Sequence, residues 1–180
     1  IKTHSQVGRN FISIIGGKLT TYRNLAEQAV DRLGKVLGRK LPACRTKDNL
    51  LPGAYRIAEA QAALKEQAVL SPEGVTRIME IYGGRAAALI AHATSRGELT
   101  CVDSASTVLA AEVSFAIEEE MARTLVDIVF RRTMIGLAAD QGQPMYAEVA
   151  RLAAATCKWD ASKADEQLAA LNSYSKSFRI

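Results

Sequence analysis

The chain has 180 residues, of which 48% are hydrophobic and 23% are charged, and this balance supports a packed core and excludes a disordered polypeptide. The net charge of +4 is mild, and the densest basic stretch (residues 32–47) has no aromatic side chain to stack on bases, so we expect no nucleic-acid partner. Only 6% of the residues are aromatic while 30 are alanine, which favours close-packed helices over a β-sandwich.

The first predicted element is a short buried strand, Phe11–Ile15, which is β-branched and ends at two glycines. No other segment of the sequence has a clear strand pattern. Because one strand cannot form a sheet, we expect it to find no partner in this chain and to pair with a part of a longer protein. The chain also begins on Ile1 rather than Met, which agrees with a fragment.

A helix is predicted next, with Thr20 or Thr21 as its N-cap and Gly38 just past its end. Its apolar residues recur every three or four positions and predict one buried face: Tyr22, Leu25, Ala26, Ala29, Val30, Leu33 and Leu37. Residues 39–53 contain two prolines and a glycine and predict an irregular connection.

Helices then follow one another to the end of the chain. Their predicted ranges are Ile57–Leu70, Pro72–Tyr82 with Ser71 as N-cap, Arg85–Thr94, Val108–Leu137, Met145–Cys157 and Asp160–Tyr174. Glu118–Glu120 predicts a bend or a solvated turn within the longest of these segments. The fold class is therefore predicted as all-α, with a bundle-like C-terminal domain preceded by one orphan β-strand and a Gly-Gly-Lys loop.

Metal chemistry is not expected. The chain has two histidines and three widely separated cysteines with no Cys-x-x-Cys pair, so a zinc site and a disulfide framework are both disfavoured and a reducing compartment fits. His92 lies among apolar residues and is interpreted as a helix-packing residue rather than a ligand.

The segment Gly16-Gly17-Lys18 joins the predicted strand to the predicted helix. The two glycines allow close approach of a ligand to the backbone, the helix N-terminus favours an anion or an electron-rich carbonyl, and Lys18 adds a positive charge. A nucleoside-triphosphate loop is excluded, because positions 12 and 19 are Ile and Leu where that motif needs Gly and Ser or Thr. A plain strand-to-helix turn remains the alternative.

The stretch from Ile14 to Arg23, followed by Leu25-Ala26-Glu27, resembles the GGK-[LW]-TTYR motif of FAD-dependent glycerol-3-phosphate dehydrogenases. The resemblance continues at Leu51-Pro52-Gly53 and Tyr82-Gly83. It then extends through the family's helical C-terminal domain, at Glu112-Val113, at the run from Glu120 to Leu125, at Asp127 and at Arg131-Arg132-Thr133.

The resemblance implies a division into three parts. Residues 1–19 would be the last strand and loop of a truncated FAD-binding domain, residues 20–54 a linking helix and an irregular connection, and residues 55–180 an α-helical C-terminal domain. The family's Gly-x-Gly-x-x-Gly fingerprint is absent from the 180 residues. We therefore expect the missing N-terminal FAD domain to be a partner and the chain to be inactive alone.

The resemblance also implies an activity. Such enzymes oxidise sn-glycerol 3-phosphate to dihydroxyacetone phosphate with transfer to FAD and then to a quinone, whereas related oxidases use oxygen. The resemblance also implies roles for individual residues. The cofactor would be contacted by Gly16, Gly17, Lys18 and Leu19. The substrate would be contacted by Lys18 and Thr20, and Lys18 would be the catalytic residue. From the same resemblance we expect a cytoplasmic protein that is peripheral on the cytoplasmic face of the inner membrane. We also expect a homodimer.

A second class of function is kept open, in which the helical domain is an interaction, oligomerisation or membrane-docking module without chemistry of its own. Arg131 and Arg132 would then contact a partner domain or an acidic lipid surface, or they form a last-turn pair with Asp127. Tyr22 and Arg23 are expected to pack and to tether rather than to catalyse.

Overall fold

The computed structural model describes residues 1–8 and 10–178. It divides into two compact units, Ile1–Leu51 and Pro52–Ile180, which we call the N-terminal unit and the helical unit and describe separately.

The N-terminal unit begins with a minimal antiparallel sheet of β1 (Lys2–Thr3) and β2 (Ile12–Ser13), in which Lys2 pairs with Ser13. The backbone N–H of His4 donates to the carbonyl of Phe11 across the loop, at 2.9 Å. The predicted strand therefore exists, but it is shorter than Phe11–Ile15. The expectation that it finds no partner in this chain is wrong, because the first residues fold back onto it.

Helix α1 (Tyr22–Val36) follows a 3₁₀ turn at Leu19–Thr21 and ends before Gly38, which has a φ of +63°. Among the residues of α1, only Gly34 is buried. The predicted buried face is wrong within this unit, since the side chains of Tyr22 and Leu33 are 60% and 49% exposed.

The segment between α1 and the next helix contains neither helix nor strand, as predicted. It turns sharply after α1, where the N–H of Arg39 donates to the carbonyl of Gly34 at 2.9 Å. A Cβ on Gly34 would lie 2.8 Å from the Leu41 side chain, so the connection packs directly on the helix. It continues into a second turn in which the backbone N–H groups of Asp48 and Asn49 both donate to the carbonyl of Arg45.

The helical unit contains the remaining α-helices of the described chain, and the predicted all-α class is confirmed. They are α2 (Ile57–Lys65), α3 (Pro72–Tyr82), α4 (Ala86–Arg96), α5 (Ala110–Glu118), α6 (Leu125–Asp127), α7 (Tyr146–Cys157) and α8 (Ala161–Lys176). Two predicted N-caps are confirmed, because Ser71 accepts from the N–H of Gly74 and Asp160 from the N–H of Lys163.

The segment predicted as one long helix, Val108–Leu137, is broken. Helix α5 ends at Glu118, as the three glutamates indicated, and Met121 then adopts the left-handed conformation with a φ of +63°. After α6 the backbone continues as a π-helical turn over Ile128–Arg132 and a 3₁₀ turn over Ile135–Leu137.

Helix α5 is the centre of this unit, and its residues from Ala110 to Ala116 are all buried. It contributes to two adjoining cores. Val113 and Ala116 join a core with α6, α7 and α8, while Ala111 and Phe115 join a core with α2, α3 and α4. Among the described residues, no helix is both long and apolar enough to cross a membrane.

Candidate functional site

The Gly-Gly-Lys turn lies open on the N-terminal unit. A Cβ built on Gly16 or Gly17 would meet no heavy atom within 4 Å, so a flat ligand can approach this backbone without displacing protein atoms. Lys18 and Leu19 follow with exposed side chains, and Leu19 is 85% exposed. The four residues expected to contact a cofactor are thus contiguous and accessible.

Thr21 occupies the N-cap position of α1, as predicted, but its side chain makes no capping hydrogen bond to the helix. The hydroxyl of Thr21 donates to the carbonyl of Lys18 at 2.8 Å, and the N–H of Thr21 donates to the same oxygen at 3.0 Å. Neither the 3₁₀ turn nor α1 has a side-chain hydrogen bond at its N-cap. The backbone carbonyl of Lys18 therefore accepts two hydrogen bonds from Thr21, whereas the N-terminal end of the helix has no side-chain capping hydrogen bond.

An open cleft of about 570 Å³ begins beside this turn and is lined by Thr20, Thr21, Arg23, Asn24, Leu25 and Gln28. Thr20 lines the cleft, while Gly16, Gly17, Lys18 and Leu19 are outside its lining. The predicted site residues thus form an exposed turn with a shallow cleft at its end rather than an enclosed pocket.

The residues present fit one part of FAD. The unobstructed backbone at Gly16 and Gly17 suits the edge of an isoalloxazine ring, and Lys18 supplies a cation suited to negative charge on that ring. The pyrophosphate of FAD needs a glycine-rich loop at a helix N-terminus, and the sequence has no Gly-x-Gly-x-x-Gly. Among the described residues, no group of three or more His, Cys, Asp and Glu could hold a metal ion.

Arg23 is the charged side chain nearest in sequence to the site that makes specific contacts. Its Nη1 donates to Glu27 Oε2 at 2.8 Å and to Thr46 Oγ1 at 3.3 Å. The hydrogen bond to Glu27 raises the pKa of Arg23 above its usual value. The tethering role expected of Arg23 is therefore present. Tyr22 is exposed, so its expected packing role within this unit is wrong.

Sequence reasoning missed a buried charged network in the helical unit. Glu112 is completely buried and accepts from Arg77 at 2.8 and 2.9 Å, from the hydroxyl of Tyr82 at 3.1 Å and from the N–H of Leu109 at 2.9 Å. Burial and the Glu112 carboxylate raise the pKa of Tyr82 far above its usual value. The signal available in the sequence was a lone acidic residue inside the apolar run from Val108 to Ala116.

His92 has the packing role predicted for it. Its ring packs edge-on against Phe115, with centroids 5.4 Å apart, and its Nε2 lies 2.8 Å from the hydroxyl of Ser114. The solvated turn expected at Glu118–Glu120 is partly wrong. Glu118 pairs with Arg96 at 3.0 Å, and Glu120 pairs with Arg85 at 2.8 Å.

Arg131 forms the last-turn pair that was one of its two interpretations. Its guanidinium pairs with Asp127, four residues earlier, and lies 5.8 Å from the centre of the Tyr174 ring. Burial alone would raise the pKa of Asp127. Hydrogen bonds from the N–H of Arg123, from Thr124 and from Arg131 outweigh that effect and hold the pKa below its usual value.

Comparison with known proteins identifies relatives of the chain. Residues 44–164 match the family model described as the C-terminal domain of alpha-glycerophosphate oxidase. A glycerol-3-phosphate dehydrogenase of Synechocystis is 36% identical over 176 residues, which cover 95% of this chain and 32% of that protein. A subunit of the anaerobic glycerol-3-phosphate dehydrogenase of Escherichia coli is 36% identical over 135 residues, covering 74% of this chain and 23% of that protein.

A third relative, glycerol-3-phosphate dehydrogenase 1 of Mycobacterium bovis, is 36% identical over 126 residues, covering 70% of this chain and 23% of that protein. The chain thus spans a third or less of the length of these curated relatives. No solved structure matches it.

Proposed function

The chain belongs to the family of the C-terminal domain of alpha-glycerophosphate oxidase, and we propose that it is the C-terminal part of a flavoprotein that oxidises sn-glycerol 3-phosphate to dihydroxyacetone phosphate. The observation that carries this proposal is the likeness to a glycerol-3-phosphate dehydrogenase over 95% of the chain. That span includes most or all of the N-terminal unit, where the exposed Gly-Gly-Lys turn lies.

Bound FAD would supply the two-electron acceptor that oxidation of a secondary alcohol needs. The residues of this chain would act around it. Gly16 and Gly17 let the ring approach the backbone, and Leu19 offers an exposed apolar side chain for its face. Lys18 would bind oxygen atoms of the substrate and stabilise negative charge as it develops, with Thr20 as a further hydroxyl contact.

The surface of the N-terminal unit supports the proposal that this unit binds a partner domain. Residues 1–51 contain ten Lys and Arg but only three Asp and Glu, a net charge of +7, whereas the whole chain carries only +4. Large apolar side chains are exposed on the same unit, including Ile15, Leu19 and Leu37 at 71%, 85% and 64%. A basic and apolar surface of this kind is stabilised by an apolar, acidic protein face. The proposed occupant is the N-terminal FAD domain.

The proposed electron acceptor is a quinone. Relatives of this chain are named dehydrogenases, and a dehydrogenase passes its electrons to an acceptor other than oxygen. A quinone is dissolved in the bilayer, so the whole protein would work at the membrane surface. The three cysteines are free, which fits the reducing cytoplasmic side of that membrane.

The test is an assay of the whole protein that contains this chain. Purified with its flavin, it should reduce a quinone analogue when sn-glycerol 3-phosphate is added and form dihydroxyacetone phosphate in equal amount. Glycerol and the sn-1 enantiomer serve as matched substrates and should give little turnover. Consumption of oxygen in place of the quinone would change the proposed acceptor, and no turnover with any acceptor would refute the activity.

A second candidate function is a helical interaction module without chemistry of its own. It is favoured by the way the helical unit uses its charges, because Arg77, Arg85 and Arg96 all pair with glutamates of the same unit. Such pairing is typical of a structural domain. If the whole protein keeps its flavin and its turnover after removal of residues 52–180, the helical unit has no part in catalysis and this candidate is preferred for it.

A further inference from the structure

The irregular connection after α1 runs back along that helix. At the C-terminal end of α1, the Leu41 side chain packs on Gly34 and the backbone N–H of Arg39 donates to the Gly34 carbonyl. At the N-terminal end, Thr46 accepts from Arg23 Nη1 at 3.3 Å. Gly34 and Arg23 are eleven positions apart, which corresponds to about 16 Å of helix. The connection covers that length and is fastened at both ends.

The first turn of α1 has little else to hold it. Of the residues in α1, only Gly34 is buried, and the helix has no side-chain cap at its N-terminus. The further contacts from α1 to neighbouring segments lie away from its first turn: Arg32 Nη2 donates to Thr3 Oγ1 at 2.9 Å, two and a half turns along, and the contacts at Gly34 are at the C-terminal end. A helix with so few tertiary contacts frays at its ends. The contact at Arg23 is therefore the one that stabilises the turn next to Lys18.

We propose that Arg23 is a positioning residue for Lys18. The guanidinium joins Glu27 on α1 to Thr46 on the connection, and this holds the first turn of α1 in place. Thr21 directly precedes that turn as the N-cap residue, and it fixes the carbonyl of Lys18 through two hydrogen bonds. The start of the Lys18 side chain is thereby fixed relative to the open backbone of Gly17. This inference rests on the proposed function, because it assigns Arg23 a role through a lysine of that site.

The contact itself is tested in the 180-residue chain by hydrogen–deuterium exchange. Arg23→Met and Thr46→Val should each speed amide exchange over residues 19–25 and 44–49. Thr46→Val is the sharper variant, since it leaves the Arg23–Glu27 pair intact. Arg32→Met is the matched control and should affect residues 1–13 while leaving 19–25 unchanged. Unchanged exchange over 19–25 in both Arg23→Met and Thr46→Val would overturn the proposal.

The link to Lys18 is tested in the flavin-loaded whole protein by a double-mutant cycle. Arg23→Met should lower kcat/KM for glycerol 3-phosphate about tenfold, a size expected when a catalytic group is displaced. In a Lys18→Met background the same change should lower it by less than about twofold, because both changes act on one group. Arg23→Lys should restore most of the loss. Equal losses in both backgrounds would overturn the link.

The exchange measurement and the kinetic measurement together distinguish a failure of this inference from a failure of the proposed function. If the wild-type whole protein fails to oxidise glycerol 3-phosphate, the proposed function fails and so does the assignment to Lys18. The exchange measurement then still decides whether Arg23 holds the first turn of α1.

Discussion

Arg77 and Glu112 form a bidentate ion pair that joins α3 to the central helix α5, at 2.8 and 2.9 Å. Glu112 is completely buried, and Arg77 also donates to the carbonyl of Thr133 at 2.8 Å, at the end of the π-helical turn. One guanidinium thus connects three segments of the helical unit. Removing either partner leaves buried polar groups without a counterpart.

Glu112→Gln should therefore lower the free energy of unfolding by about 3 kcal/mol, the size expected when one member of a buried pair is lost. The amide keeps the shape of the side chain but cannot accept both hydrogen bonds from Arg77. Urea denaturation of the 180-residue chain, followed by circular dichroism at 222 nm, measures the change. The matched control is Glu148→Gln on α7, whose pair with Arg151 is exposed and contributes less than about 1 kcal/mol. Equal effects of the two substitutions would contradict the prediction.

Asp127 should make stability depend on acid pH. Its folded-state pKa lies below the unfolded value, so the carboxylate stabilises the fold above the unfolded pKa, which is about 4. That stabilisation should decrease as pH falls from about 4 through the lower folded-state pKa. Asp127→Asn should reduce stability at pH 7 and flatten this decrease. Urea denaturation at several pH values tests it, and an unchanged acid slope in the variant would count against Asp127.

Gly84 should tolerate no side chain. Its N–H donates to the carbonyl of Gly53 at 2.6 Å, and a Cβ at this position would lie 1.5 Å from the carbonyl oxygen of Tyr55. Gly84→Ala must push the backbone at position 84 away from that of Tyr55, and it should lower the free energy of unfolding by about 2–3 kcal/mol. Gly97→Ala is the control, because Gly97 has a φ of +68° but open space around it. Gly97→Ala should lower the free energy of unfolding by only about 1 kcal/mol, which is the strain of a side chain in the left-handed conformation. Thermal denaturation of both variants compares the two effects.

The sequence predicted the helices best where their ends are chemically marked. Ser71-Pro72 and Asp160 give local cap signals, and the structure has helices starting at both places. The break after Glu118 was only partly predictable. Met121 adopts the left-handed backbone that glycine usually supplies at a helix end, and the N–H of the next residue, Ala122, donates to the Ala116 carbonyl six residues back. The periodic spacing of apolar residues continues through Met121, and it therefore predicts an unbroken helix there.

The candidate site was predictable as a motif but not as a geometry. Gly16-Gly17-Lys18 and its exposed position follow from the residue types, whereas the pairing of β2 with Lys2–Thr3 depends on a loop that the sequence does not mark strongly. The contact of Arg23 with Thr46 joins residues 23 positions apart through an irregular segment. Contacts of that kind have no periodic signature.

Lys18→Met in the whole protein should lower kcat/KM for glycerol 3-phosphate by about 10²-fold, the loss expected for one preorganised electrostatic donor. Lys18 follows the open backbone of Gly16 and Gly17, so its charge is available to a ligand bound there. The control is Lys35→Met in the last turn of α1, which removes the same charge at a distance from the turn and should leave the kinetics unchanged. Wild-type kinetics for Lys18→Met would remove Lys18 from the site.

The 180-residue chain by itself should neither bind FAD tightly nor oxidise glycerol 3-phosphate. Tight cofactor sites enclose most of the ligand surface, whereas the Gly-Gly-Lys turn is open and the cleft beside it is shallow. The turn contacts at most one edge of the flavin, and the sequence lacks the glycine fingerprint that binds the pyrophosphate. A flavin fluorescence titration measures the affinity, with riboflavin as the comparison ligand that lacks the pyrophosphate. The two ligands should bind equally weakly, because only the ring has residues to contact. Micromolar affinity for FAD with much weaker binding of riboflavin would show that these residues recognise the whole cofactor, and the proposed need for a separate FAD domain would then be wrong.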